Sequence, residues 1–224
     1  MWTKCCVIPA HNEERTVGKV VFEALKHVNR VIVVDDGSTD DTADVARDNG
    51  AKVQELGKNY GYGYAITSGF NIGKALCDIV VTLDADGQHD AREIPKLIEP
   101  LIKDEADIVI GSRFLQDIKI PIYRRFGIWM ITTVFNFGRS NITDSQSGFR
   151  VFKSDVLREL DIQESGFGQT TEIMIKARKH GYRIKEVPVS CSYRNLQEDS
   201  HMNPLRHGLD VIWATIKWRV KERN

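Results

Sequence analysis

Continuous apolar runs rich in β-branched residues recur along the first half of the chain: Cys5-Cys6-Val7-Ile8, Val31-Ile32-Val33-Val34, Ile79-Val80-Val81-Thr82-Leu83 and Ile108-Val109-Ile110. A strand that is apolar on both faces has to be covered on both faces, which is the condition of a parallel sheet between two helical layers. Between the runs apolar residues return every three or four positions, as at Val17, Val20, Val21, Ala24, Leu25 and Val28, and again near 62–76 and 91–102. With a weaker strand over Ala51 to Leu56, this alternation predicts a βαβ series through residue 112. The class is α/β, a mostly parallel central sheet with helices on both faces.

After Arg113 the alternation breaks. A loop with Pro121 leads to an expected helix at Arg125 to Gly138, a second helix at Thr170 to His180, a strand pair at Arg183 to Val187 and Val189 to Tyr193, and a last helix from about Leu205. No linker is long enough to separate two units, and 224 residues suffice for one large core. The expectation is a single domain, 1–224, with a nucleotide-binding half at 1–112, a second half at 113–203 and an amphipathic helix at 204–224. In that helix Leu205, Leu209, Ile212, Trp213, Ile216 and Val220 form one stripe, expected to pack on the core. Val211 and Trp218, beside Lys217 and Lys221, lie opposite, and are either a lipid-facing patch or an ordinary exposed Trp on a basic helix. Ile118 to Phe137, with Lys119, Arg124, Arg125 and Trp129, makes a stronger case for a membrane surface. No run reaches the about 18 apolar residues of a span.

Thirty-one basic residues balance 31 acidic ones, which argues against a nucleic-acid binder, whose domain would be strongly basic. The balance is uneven: residues 35–112 carry 7 bases and 16 acids, while 113–139 carry 5 bases and 1 acid. Cys5, Cys6, Cys77 and Cys191 show no C-x-x-C spacing and are expected to be reduced thiols of a cytosolic protein, with Cys5 and Cys6 facing opposite sides of a strand.

In open parallel sheets, ligands sit at the carboxyl ends of the strands. Here those ends read Pro9-Ala10-His11-Asn12-Glu13, Asp35-Asp36-Gly37-Ser38 and Asp84-Ala85-Asp86-Gly87-Gln88-His89. Side chains two apart on an extended segment point the same way, so Asp84 and Asp86 can converge on one hard cation, with Gln88 and water completing an oxygen shell. The structural alternative is a capping Asp followed by a turn at Asp86-Gly87. No G-x-G-x-x-G or P-loop is present. Gly57, Gly61 and Gly63 open the third helix instead, and let the backbone approach either a phosphate or another chain segment, or form a plain tight turn.

In this order and at these spacings, Ile8-Pro9-Ala10-His11-Asn12-Glu13, Val34-Asp35-Asp36-Gly37-Ser38, Asn59-Tyr60-Gly61-Tyr62-Gly63, Asp84-Ala85-Asp86-Gly87-Gln88, Gly111-Ser112-Arg113, Gln146-Ser147-Gly148-Phe149-Arg150 and Glu186-Val187-Pro188-Val189 resemble the motifs of the family 2 inverting glycosyltransferases of GT-A fold. Within them the chain is similar to the polyprenyl-phosphate (dolichyl-phosphate) hexosyl synthases, from about residue 5 to about residue 210. The resemblance implies that Pro9, His11, Glu13, Val34, Asp36, Asp84 and Ala85, with Arg194, hold a nucleotide diphosphate sugar of the GDP-mannose, UDP-glucose or UDP-N-acetylglucosamine type. It implies that Asp84, Asp86 and Gln88 hold Mg²⁺ or Mn²⁺. Asp84, Asp86 and Arg113 are then the catalytic group, and Arg113, Arg124, Arg125 and Ser147 face a polyprenyl phosphate acceptor. For Arg124 and Arg125 singly, a solvated helix-flanking pair is the alternative. His11 stands where the family usually carries Tyr. The family's late R-x-x-G-x-S-K segment appears as Arg194 to His201, without its Gly and with His201 for Lys.

The second pKa of a phosphate monoester lies near 6, so a lipid phosphate attacks without a general base, and the demand falls on the leaving diphosphate, which a cation stabilises. A site rich in oxygen ligands and without a Ser-His-Asp or Cys-His constellation suits that reaction. If the acceptor were a glycan or protein hydroxyl, Asp144 or Glu172 would have to act as base; structural hydrogen bonding is the competing role for both. A non-catalytic nucleotide-sugar sensor is the alternative from another class. The expected setting is the cytoplasmic membrane face, as a peripheral enzyme, with a membrane-embedded partner protein as a further expectation.

Overall fold

The computed structural model describes residues 2–116, 132–133, 136, 142–164, 166, 168–192, 213–218 and 220–221. In chain order the elements are β1 (Lys4–Ala10), α1 (Val17–Ala24), β2 (Arg30–Asp35), α2 (Thr42–Asp48), β3 (Lys52–Glu55), α3 (Tyr62–Leu76), β4 (Ile79–Thr82), α4 (Ile94–Ile102), β5 (Ile108–Ser112), β6 (Arg150–Lys153), α5 (Ser154–Glu159), α6 (Gln169–Lys179) and β7 (Ile184–Pro188). The described strands form one seven-stranded sheet in the order β3-β2-β1-β4-β6-β5-β7. All pairs are parallel except the two that β6 makes with β4 and β5.

The continuous apolar runs behave as their composition requires. β1 pairs β2 with Val7 opposite Ile32 and β4 with Val7 opposite Thr82, and alternate residues feed two separate cores. Cys6, Ile8, Val31, Val33, Ile79 and Val81 face α1 and α4; Cys5, Val7, Ile32, Val34 and Val80 face α3, α5 and α6. α3 approaches this second face closely through Gly69 and Gly73, where a Cβ would press on Val7, Val34 and Val80.

Four expectations change. The sequence reading contains no β6; this four-residue strand, Arg150-Val151-Phe152-Lys153, enters antiparallel between two parallel strands, with Arg150 beside Thr82 and Ile110. The second strand of the pair after Pro188 does not form. Ser190 N–H donates to Glu93 and Ser192 N–H to the Gln88 carbonyl, so the chain leaves β5 and follows the site loop, keeping a single bridge between His89 and Cys191. Cys5 and Cys77 are joined in a disulfide with Cα atoms 5.9 Å apart, whereas Cys6 and Cys191 keep reduced thiols. The chain lays the end of α3 against the start of β1, which sequence spacing does not show.

The fourth change concerns the last helix, helical over 213–218. Trp218, expected outside, is 1% exposed, and Trp213, expected in the core, is 69% exposed, with Ile216 and Val220 exposed beside it. Trp218 donates its indole N–H to Glu164 at 3.2 Å and is roofed by the Lys176, Lys217 and Lys221 ammonium groups. Small Ala214 and Thr215 allow that face to lie on Gly168, which has no room for a Cβ against Ala214. Trp218 buries a large aromatic surface while its N–H finds a carboxylate. Of the expected helix 125–138, Thr132, Thr133 and Asn136 are described and are helical; the rest of it, the rest of 118–137, and Leu205, Leu209, Val211 and Ile212 lie outside the described residues. Among the described residues no helix is long and apolar enough to cross a membrane.

Candidate active site

The carboxyl ends of β1, β2 and β4 are tied to one another by short polar contacts. Asp36 N–H donates to the Ala10 carbonyl at 2.8 Å, and Asn12, in the left-handed region at φ 56°, donates its N–H to Ser38 Oγ at 2.9 Å while its Oδ1 accepts from Thr39 N–H. The buried Asp36 carboxylate accepts the N–H groups of Tyr60 and Gly61 at 2.7 and 2.8 Å. Gly37 lies so close to the Lys58-Asn59 backbone, with a φ of +69°, that no other residue fits. Gly57 and Gly61, at the opening of α3, have positive φ of 74° and 95° with open space where a Cβ would stand, which fits the tight-turn reading of these glycines. Pro9, Val34 and Ala85 are buried behind this edge, His11 is exposed on it, and Glu13 is partly buried, accepting from Thr16 Oγ1 at 2.8 Å.

Asp84 and Asp86 follow β4. Asp86 Oδ1 accepts Gln88 N–H at 2.9 Å around Gly87, as the turn reading of this triplet requires. Burial pushes both carboxyls up, and the neighbouring Asp84 charge helps to bring Asp86 to about 6. Tyr62 Oη donates to Asp84 Oδ1 at 3.1 Å, and Gly148 sits directly against the same carboxylate. Two carboxylates that repel each other in a desolvated place, with the Gln88 amide two residues on, are a donor set that suits a hard divalent cation. Among the described residues no three His, Cys, Asp or Glu side chains converge, so further oxygens would come from Gln88, water or substrate.

Arg113 closes the other side. Its Nε and Nη2 donate to Asp144 at 2.7 and 2.8 Å, and its N–H to the same carboxylate at 3.1 Å. Asp144 is fully buried; burial pushes its carboxyl up, but the bidentate guanidinium outweighs this and holds it below the usual range. Glu186 on β7 fixes the pair from behind, accepting the N–H groups of Thr143 and Asp144 at 2.8 and 2.9 Å. Glu172 has a structural task too: it accepts the N–H groups of Gln163 and Glu164 and pairs with Lys176 at 2.6 Å. Ser147 is buried, its Oγ accepting Phe149 N–H at 3.3 Å. Arg124, Arg125, Arg194, Ser200 and His201 lie outside the described residues.

Three site neighbours were not singled out from sequence. Tyr62 could have been noticed as the aromatic between two glycines at a helix start. Arg150 is a charge inside a strand, buried, donating to the Ser147 and Ser145 carbonyls at 2.7 Å each. Burial lowers its guanidinium to about 10. His89 is buried against Phe149, its Nδ1 without a partner among the described residues, and burial, with Arg113, lowers its pKa and favours the neutral ring.

A model of the family described as "Glycosyl transferase family 2" matches residues 5–161. The chain belongs to glycosyl transferase family 2. This glycosyltransferase is 33% identical over 212 residues to the UDP-N-acetylglucosamine–dolichyl-phosphate N-acetylglucosaminyltransferase of Methanococcus voltae, covering 84% of each chain. It is 30% identical over 238 residues to the undecaprenyl-phosphate mannosyltransferase of Micrococcus luteus, covering 96% of this chain and 97% of that one. Its fold matches, at a TM-score of 0.76 and 22% identity, the crystal structure of glucosyl-3-phosphoglycerate synthase from Mycobacterium tuberculosis in complex with Mn²⁺, UDP-glucose and phosphoglyceric acid, over 97% of this chain and 79% of that one. The fold is GT-A.

Proposed function

We propose that this glycosyltransferase moves a hexose or N-acetylhexosamine from a nucleotide diphosphate sugar to a polyprenyl phosphate, with inversion at the anomeric carbon and with a divalent cation. The observation that carries the acceptor class is the state of Asp144 and Glu172. A hydroxyl acceptor needs a base, and each of these two acids is fully buried and neutralised by an ion pair. An acceptor that arrives as an anion needs none. Names of relatives that act on dolichyl and undecaprenyl phosphate point the same way.

In this reading the edge formed by Pro9, His11, Glu13, Val34 and Asp36 receives the nucleoside, and Asp84, Asp86 and Gln88 hold Mg²⁺ or Mn²⁺. When bound, the cation offsets the charge that develops on the leaving diphosphate. Arg113, locked by Asp144, presents a fixed positive charge near Asp84 and Asp86, where two anionic substrates must meet. Arg124, Arg125 and Ser147 belong to the acceptor side, and Arg194 to the donor side. A lipid acceptor brings the enzyme to a membrane surface, with the cytoplasmic face as the proposed side.

Incubation of the purified protein with Mn²⁺, each of GDP-mannose, UDP-glucose and UDP-N-acetylglucosamine, and a short polyprenyl phosphate tests the proposal. A glycolipid phosphodiester is expected from one donor and none from an Asp86→Ala variant. Transfer to a hydroxyl acceptor with no lipid phosphate present, or full activity of Asp86→Ala, refutes it.

A further inference from the structure

Ser147 is expected to face the acceptor, and the turn that carries it also packs against Asp84 through Gly148. Arg150, on the first residue of β6, grips the turn from inside the protein through the carbonyls of Ser145 and Ser147, and Thr82 Oγ1 donates to the Gly148 carbonyl at 2.7 Å. These three bonds press the Gly148 Cα onto the Asp84 carboxylate, where a Cβ would stand 2.6 Å from Asp84 Cγ. From the opposite direction, the first residue of α3 brings Tyr62 Oη to 3.1 Å from Asp84 Oδ1. Asp84 is thereby held on two sides by groups from three parts of the chain.

We propose that Tyr62, Gly148 and Arg150 are positioning residues that fix the orientation of the Asp84 carboxylate, with Tyr62 spending its hydroxyl proton on one oxygen and Gly148 setting how far the group can turn. The proposal rests on the reading of Asp84 as a ligand of the divalent cation. A phenol keeps its proton up to about pH 10, so Tyr62 is a donor throughout the working range of pH. Arg150 supplies, besides its two hydrogen bonds, a buried positive charge close to Asp84; its Nη1 has no partner among the described residues. A guanidinium left partly unsatisfied in the interior is costly, and holding a ligand turn in place is the task that its two made bonds perform. Groups that orient a metal ligand tune affinity by roughly 10–100-fold without touching the ion.

Mn²⁺ binding to the full chain, measured by electron paramagnetic resonance with UDP or GDP, whichever raises the melting temperature of the wild type, tests this. Tyr62→Phe and Gly148→Ala are each expected to weaken Mn²⁺ binding about tenfold, while Tyr62→Phe melts in EDTA at the wild-type temperature. Asp84→Asn, run in parallel, is expected to lose the ion. Wild-type Mn²⁺ affinity in both Tyr62→Phe and Gly148→Ala, alongside loss in Asp84→Asn, overturns the positioning role. Wild-type affinity in Asp84→Asn instead removes the reading on which it rests.

Discussion

Replacing Asp144 with Asn tests the most tightly built contact of the site. The carboxylate accepts three N–H groups from Arg113, one of them backbone, and has no exposed surface, while the Arg113 side chain is 12% exposed. Asn keeps the size and one acceptor oxygen, but turns an NH₂ toward the guanidinium and leaves its charge unpaired in the interior. Breaking one side of a buried pair costs about 3–5 kcal/mol, and at this chain length 1 kcal/mol moves the midpoint by roughly 2–4 °C, so a fall of roughly 6–20 °C is expected. The Asp144 carboxyl is held below its unfolded value, so its contribution is complete above the unfolded pKa of about 4 and disappears as pH falls through the lower folded value. The gap between wild type and Asp144→Asn should therefore be flat from pH 8 to 5 and close only in stronger acid. Urea denaturation across that range, with an Arg113→Gln/Asp144→Asn double variant, measures both quantities. A loss below 1 kcal/mol, or additive effects in the double variant, refutes the account of Arg113 as a charge locked by its partner.

The other predictions follow from separate parts of the molecule. In the metal-free protein Asp86 is pushed up to about 6, so it costs stability progressively as pH rises from its unfolded value through 6; the melting-temperature gain from Mn²⁺ should be large at pH 7.5 and small at pH 5, measured by calorimetry. Trp218→Ala should cost about 3–5 kcal/mol by urea denaturation, and Trp213→Ala less than about 0.5; the reverse order would restore the expected orientation of the last helix. Thiol titration of the denatured, unreduced protein should find two reactive thiols, Cys6 and Cys191, rather than four, and reduction should lower the melting temperature.

What was legible in the sequence is what depends on local pattern. The runs at Val31–Val34 and Ile108–Ile110 announce strands buried on both faces, and the acids after β1, β2 and β4 announce where ligands gather, because strand direction alone carries these motifs to one edge. β6 was hidden because four residues carry almost no periodicity and its first is an arginine. Its place is decided by open ladder positions on β4 and β5, which are tertiary facts. The Cys5–Cys77 pair and the Tyr62–Asp84 contact each link residues far apart in sequence, and no spacing rule connects them. Over its described residues the last helix is inverted relative to the expectation, because two faces carried a tryptophan and only packing against Gly168, Lys176 and Glu164 decides between them.

The antiparallel strand β6 also governs how the chain can be divided. β4 and β5 are contributed by the first 112 residues, yet they do not pair with each other; the strand that joins them begins at Arg150. A fragment ending at Ser112 would carry β5 as an orphan with both edges open, a template for association with other chains. Assembly must close loops of several tens of residues before the sheet is continuous, which places this topology among those whose folding is slowed by long-range pairing. Any exchange of the residues after Ser112 between relatives therefore has to carry β6 and its preceding turn as one piece, because that piece completes the core and the packing around Asp84 together.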